Sequence, residues 1–94
     1  MLKRRVTKDA DKAIDKMPDK QFCQIYDAME ALRVNPEPED SKELISNIRP
    51  KRRRKDIGEY RIIYWYDDEC LYIDVIGKRN DKEVYKQAKR KGII

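Results

Sequence analysis

Histidine is absent from this 94-residue chain, and cysteine occurs twice. Without histidine there is no Cys–His zinc site and no Cys–His nucleophile pair. Cys23 and Cys70 lie far apart in sequence. Both are expected to be buried or half-buried thiols in a reducing compartment. Long apolar runs are also missing. No stretch approaches the roughly 20 residues of a membrane-spanning helix. The basic N-terminus is not followed by the apolar region of a secretory signal. The expectation is a soluble, cytoplasmic protein. Phenylalanine and tryptophan occur once each, and glycine three times. A chain of this length makes one domain, residues 1–94, with one modest core.

What the chain has is charge. Ionisable residues make up 44% of it and hydrophobic residues 39%, with a net charge of +5. Both signs are mixed and the apolar residues are periodic, which points to a folded domain. The charge is unevenly placed. Residues 49–61 hold seven Lys/Arg against two Asp/Glu, and residues 78–91 hold the same numbers. Residues 27–46 hold six acids against two bases. Two basic patches and a separate acidic segment suit an anionic partner: nucleic acid, acidic lipid or an acidic protein.

The stretch Arg49 to Tyr85 organises the rest. A basic run, Arg49-Pro50-Lys51-Arg52-Arg53-Arg54-Lys55, leads into Tyr60–Tyr66, rich in aromatic and β-branched residues. Asp67-Asp68-Glu69 reads as a polar turn, and Cys70–Ile76 as the returning strand. In the basic run, Arg52, Arg54 and Asp56 would share one strand face, and Arg53, Lys55 and Ile57 the other. Basic residues on both faces suggest an edge strand or partly loop-like backbone. Gly58 marks a tight turn or bulge, and Gly77 a strand end.

Before this stretch, residues 2–7 suit a short edge strand. Thr7 reads as an N-cap, and Ala10, Ala13, Ile14 and Met17 follow at helical spacing over Lys8–Lys16. Pro18 ends that helix, and Asp19 is the expected cap of the next. Phe22, Ile25, Tyr26, Met29 and Leu32 form its apolar stripe. A short turn between the helices predicts an antiparallel hairpin. Residues 35–41 read as a stiff linker, and residues 41–45 as either a helical turn or a loop with Leu44 plugging the core. Asn80 or Asp81 would cap a last helix reaching Arg90, with Gly92 beyond its end. The fold class is therefore α+β. It has an N-terminal strand, a two-helix hairpin, an antiparallel sheet of about three to four strands and a short C-terminal helix. Two helices should cover one sheet face and leave the other for a ligand.

In a hairpin turning near Asp68, Arg61 is expected opposite Val75, with Arg79 a few residues further along the same end. Lys78 and part of the basic run would border the same surface, and Tyr85 would point back over it. RNA is cut without metal when its 2′-hydroxyl attacks the adjacent phosphate. The reaction needs a proton acceptor, cations for the phosphorane and an acid for the leaving 5′ oxygen. Arginine suits the second role, because its fork of donors matches phosphate oxygens. Lysine or tyrosine suits the first. The aromatic residues of the strands read mainly as sheet packing. From residues alone the reading stops at a small basic α+β domain that binds nucleic acid.

Gly58-Glu59-Tyr60-Arg61-Ile62-Ile63-Tyr64, together with Gly77-Lys78-Arg79 through Glu83-Val84-Tyr85, resembles the RelE/ParE superfamily of type II toxin–antitoxin toxins. The RelE branch is the closer likeness. The resemblance implies a ribosome-dependent endoribonuclease that cuts messenger RNA in the ribosomal A site. It implies no metal or other cofactor. Its partners would be the ribosome, messenger RNA and a cognate antitoxin that forms a hetero-oligomer with it. By position, Arg61 matches the phosphate-binding arginine and Arg79 the arginine that stabilises the transition state or leaving group. Tyr85 matches the tyrosine that stacks on or activates the substrate nucleotide. Arg52 and Arg54 fall where members carry basic residues, often lysines, as base or phosphate clamp. Lys51, Arg53, Lys55 and Lys78 would add RNA contacts. Two other readings stay open: a ParE-like inhibitor of DNA gyrase, and a noncatalytic RNA- or ribosome-binding protein.

Overall fold

The computed structural model describes residues 1–80 and 82–94. Its elements are β1 (Lys3–Val6), α1 (Lys8–Asp15), α2 (Asp19–Val34), β2 (Ser41–Glu43), β3 (Arg53–Ile57), β4 (Tyr60–Tyr66), β5 (Cys70–Lys78) and α3 (Glu83–Arg90). The strands form one sheet in the order β1-β5-β4-β3-β2. All neighbours are antiparallel except β1, which runs parallel to β5. The sheet therefore has five strands and is mixed, one strand more than the sequence suggested. The added strand is β2. Residues 41–43 are not a helical turn but a strand, because Ser41–Glu43 pair with Arg53–Lys55, and Leu44 just beyond them does plug the core. That pairing also removes β3 from the sheet edge.

Local chemistry sets the elements. The Thr7 hydroxyl accepts from Ala10 N at 3.2 Å, capping α1 as expected. Pro18, not Asp19, stands at the N-cap of α2, and Asp19 lies in the first turn. Gly58 and Glu59 make a two-residue turn with Gly58 at φ +57, which a Cβ would strain. Asp67 Oδ1 accepts from the Glu69 and Cys70 amides and closes the β4–β5 hairpin. Lys82 stands at the N-cap of α3; Asn80 does not cap it, and Asp81 lies outside the described residues. Gly92, at φ +73, follows the helix, with Gly92 N bonded to Lys89 O and Ile93 N to Ala88 O.

Both sheet faces are buried in part. On one, Ala10 and Ile14 of α1, Met17 of the connecting turn, and Ile25, Met29 and Leu32 of α2 pack on Ile62, Tyr64, Leu71, Ile73 and Ile76. On the other, Val84 and Ala88 of α3 pack on Ile63, Val75 and Leu44. The second face is therefore not wholly free for a ligand. α2 rests on the sheet through Ile25, Met29 and Leu32. Phe22 and Tyr26 fall on its flank, stack on each other and stay exposed. Cys70 is buried, but Cys23 is exposed, contrary to expectation, because it lies off the packed row.

Gly77 does not end its strand. It lies inside β5, opposite Arg61. A Cβ there would sit 2.8 Å from Val84 Cγ2. The bare backbone at Gly77 is what lets α3 lie close on the sheet. Replacing Gly77 with Ala should lower the unfolding free energy by about 1–3 kcal/mol, because α3 must move out. Denaturant melts of the two proteins measure this; equal midpoints would show that α3 does not depend on the contact.

Candidate functional site

The Gly58-Glu59 turn fixes a short register. Ile57 faces Tyr60, and Asp56 faces Arg61 across the hairpin. Arg61 in turn faces Gly77 of β5, not Val75, so Arg79 lies only two residues further on. The Arg79 amide bonds to Glu59 O at 2.9 Å, which ties it to the same end of the sheet. Alternation along β3 puts Arg54 on this face as well. α3, seated over Gly77, brings Tyr85 above it.

These placements bring four sequence-predicted residues together around a fifth. Asp56 Oδ1 accepts from Arg61 Nε at 2.6 Å, and Oδ2 accepts from Arg61 Nη2 at 3.1 Å. Oδ2 also lies 3.6 Å from Arg54 Nη1 and 3.7 Å from Arg79 Nη1. Arg61 Nη1 donates to the Tyr85 hydroxyl at 2.5 Å, and its guanidinium sits 5.4 Å from the ring centroid. Arg61 is the fixed member, with 13% of its side chain exposed, and Arg79 the open one, with 46%. The hydrogen bond from Arg61, with the neighbouring cations, holds the Asp56 carboxyl below its usual range. The same bond raises Arg61 further. A groove of about 380 Å³ opens beside the cluster, lined by Arg54, Tyr85, Leu44, Ile45 and Ile94 among others. A larger cleft between α1 and α3 shares no lining residue with the cluster.

The other candidates go elsewhere. Arg52 shares the face but is buried. Its Nε pairs with Asp74 Oδ2 at 3.0 Å, and its guanidinium lies over Trp65. Burial pushes the Asp74 carboxyl up, against the pull of Arg52. Arg53 points to the opposite face, where Nη2 donates to Ser41 Oγ at 2.9 Å and Nη1 approaches Glu37. Lys55 shares that parity and pairs with Asp40. Lys51 donates to Ser46 O, and the side chain of Lys78 ends β5 exposed. The acidic linker thus takes up much of the basic run that the sequence offered to RNA.

Asp56 was missed as a site residue. The signal was present: it alternates with Arg52 and Arg54, and a two-residue turn at Gly58 sets it across from Arg61. Chemically, the cluster is three guanidiniums converging on one carboxylate, the most buried of them also bound to a phenol. That suits a phosphate or phosphodiester.

A model of the ParE toxin of the type II toxin–antitoxin system parDE matches residues 1–83. No curated protein sequence matches. Among solved structures, an archaeal RelE–RelB complex from Pyrococcus horikoshii superposes with a TM-score of 0.74 at 21% identity, over 85% of this chain and 97% of that one. The isolated E. coli RelE toxin superposes with a TM-score of 0.70 at 20% identity, over 97% and 98%. At such identities the likeness is one of fold.

Two outcomes are expected here. Arg52→Ala leaves Asp74 buried without its cation and should destabilise the fold by about 3–5 kcal/mol, measured by chemical denaturation. The second concerns acid. A depressed folded-state pKa at Asp56 adds stability that is complete above the unfolded value near 3.8 and is lost as pH falls through the folded value. An acid titration of stability should therefore be shallower in Asp56→Asn than in the native chain below about pH 4. Superimposable acid limbs would mean the carboxylate contributes nothing.

Proposed function

This chain belongs to the RelE/ParE superfamily of type II toxin–antitoxin toxins, and from that premise we propose that it is a ribosome-dependent messenger RNA endoribonuclease. The observation that carries the reading is the convergence of Arg54, Arg61 and Arg79 on one anion, with Tyr85 bound to Arg61. Messenger RNA is the substrate, held in the ribosomal A site in the cytoplasm. Its 2′-hydroxyl oxygen attacks the adjacent phosphorus, and the bond to the 5′ oxygen breaks.

Arg61 is the preformed contact to the phosphate, since Asp56 and Tyr85 already hold its guanidinium in place. Arg79 and Arg54 close on the remaining equatorial oxygens as charge develops, which is where fixed cations lower the barrier most. Tyr85 accepts from Arg61 through its oxygen and keeps its own proton for donation. It therefore suits delivery of a proton to the leaving 5′ oxygen, and its ring offers a surface for a base. Asp56 is a poor base, because both its oxygens are engaged and its carboxyl is acid-shifted. Lys51 is bound to the Ser46 carbonyl and Lys55 to the Asp40 carboxylate, so the 2′ proton passes to water ordered by the ribosome. Arg52 supports the sheet beneath the site and does not touch the substrate.

A RelE–RelB complex among the neighbours supports a cognate antitoxin as the partner of this chain too. An acidic or amphipathic segment lying over the basic face would cover Arg79 and Arg54. A second reading draws on the matched family model, which describes ParE. In it the same face binds DNA gyrase and cuts nothing.

Primer extension on a reporter messenger RNA in a reconstituted translation reaction separates the two. Cuts within A-site codons should appear only when ribosomes are present. Arg61→Ala and Arg79→Ala should each lower cleavage at least about a hundredfold, the scale of losing one transition-state donor, and Tyr85→Phe should lower it while leaving the fold intact. Intact messenger, with DNA supercoiling by gyrase blocked at the same protein concentration, would transfer the assignment to the gyrase reading.

A further inference from the structure

The proposed reaction uses three guanidiniums and a phenol and leaves Asp56 without a part. Yet Asp56 is the group on which the three guanidiniums converge. Its two oxygens take the Nε and Nη2 donors of Arg61 in a fork-to-fork contact of 2.6 and 3.1 Å. The same carboxylate lies within 3.6 Å of Arg54 and 3.7 Å of Arg79. A phosphodiester offers the same features: one negative charge shared by two oxygens, matched to one edge of a guanidinium.

Exposure separates this carboxylate from an ordinary counter-ion. Asp74, paired with Arg52, keeps only 12% of its side chain exposed. Asp56 keeps 32%. An anion arriving from solvent can reach Asp56, but not Asp74, which is buried further along the same face. The Asp56–Arg61 pair is a direct cross-strand pair. Breaking it takes side-chain rotation and no movement of the sheet.

We propose that Asp56 is an internal surrogate for the substrate phosphate. It holds Arg54, Arg61 and Arg79 together in the free protein, and an RNA phosphodiester displaces it from Arg61 on binding. The physical need is plain. Three guanidiniums this close repel one another, and a single carboxylate among them offsets that repulsion. The arrangement carries a consequence: Asp56 competes with substrate, so it weakens binding while keeping the arginines oriented for the transition state. It is a positioning residue that acts through Arg61. The inference rests on the nuclease reading only for its substrate; the competition for phosphate is measurable without cleavage.

The test uses the full chain and its Asp56→Asn form, with a short single-stranded 2′-O-methyl oligoribonucleotide that cannot be cut. The variant should bind roughly three- to tenfold tighter at low salt, and its log–log salt slope should steepen by about 0.7, the value for one added net phosphate contact on a single strand. In the ribosome-dependent reaction, KM and kcat should both fall, a split that a mere loss of stability would not give. Equal or weaker binding with an unchanged slope overturns the proposal, as does absence of binding by both proteins. In case the variant folds poorly, the native chain gives an independent answer. Its Arg61 Nε–H signal in nitrogen-15 NMR should shift when the oligonucleotide is added. A signal that does not respond overturns the proposal. Binding with no cleavage anywhere would remove the nuclease reading and leave this one standing.

Discussion

The β4–β5 pairing is buried on both faces, and the rest of the molecule is arranged around that constraint. Ile62, Tyr64, Leu71, Ile73 and Ile76 lie in the core under α1 and α2. Ile63 and Val75 lie in the core under α3. A regular strand with period two would not put Ile73 and Ile76 on one face. It does so here because the register shifts between Ile63 and Tyr64, which leaves Asp74 as an extra residue on β5. The bulge turns both Asp74 and Val75 toward the α3 side. Val75 seats the helix. Asp74 would be a buried carboxylate without a partner, and Arg52 supplies the cation.

The site follows from that core. α3 can approach only because Gly77 carries no side chain, and its approach puts Tyr85 over Arg61. The same face therefore holds two ion pairs with different purposes. Arg52–Asp74 is closed, stacked on Trp65 and removed from solvent. Arg61–Asp56 is open at one side and shares its carboxylate with two further guanidiniums. Burial is what separates a structural pair from one that can exchange its anion.

The acidic linker has a role in this division. Glu37 and Asp40 engage Arg53 and Lys55 on the face opposite the cluster. β2 places Ser41 beside Arg53 and converts the basic run from a solvated segment into an interior strand. Of a run with six Lys/Arg in seven residues, Arg54 alone joins the cluster.

The sequence by itself determined the order of elements, because each depended on local chemistry: the Thr7 cap, the Pro18 break, the Gly58 turn, the β-branched and aromatic strands and the Gly92 stop. It also placed Arg61 and Arg79 at one end of the sheet, since one hairpin carries both; Tyr85 reaches Arg61 only because α3 docks over Gly77. It did not determine which half of Arg52 to Lys55 faces the site, because a run of like residues has no apolar alternation to set its register. It did not show β2, whose three residues are a strand only by pairing with β3. Nor did it separate Phe22 and Tyr26 from the buried row of α2, because two adjacent rows on a helix look alike until a sheet covers one of them. The place of Asp56 beside Arg61 was foreshadowed by the Gly58 turn and the alternation with Arg54, but the tertiary structure decided that Arg79 also reaches it and that a helix docked over a bare glycine brings Tyr85 to Arg61.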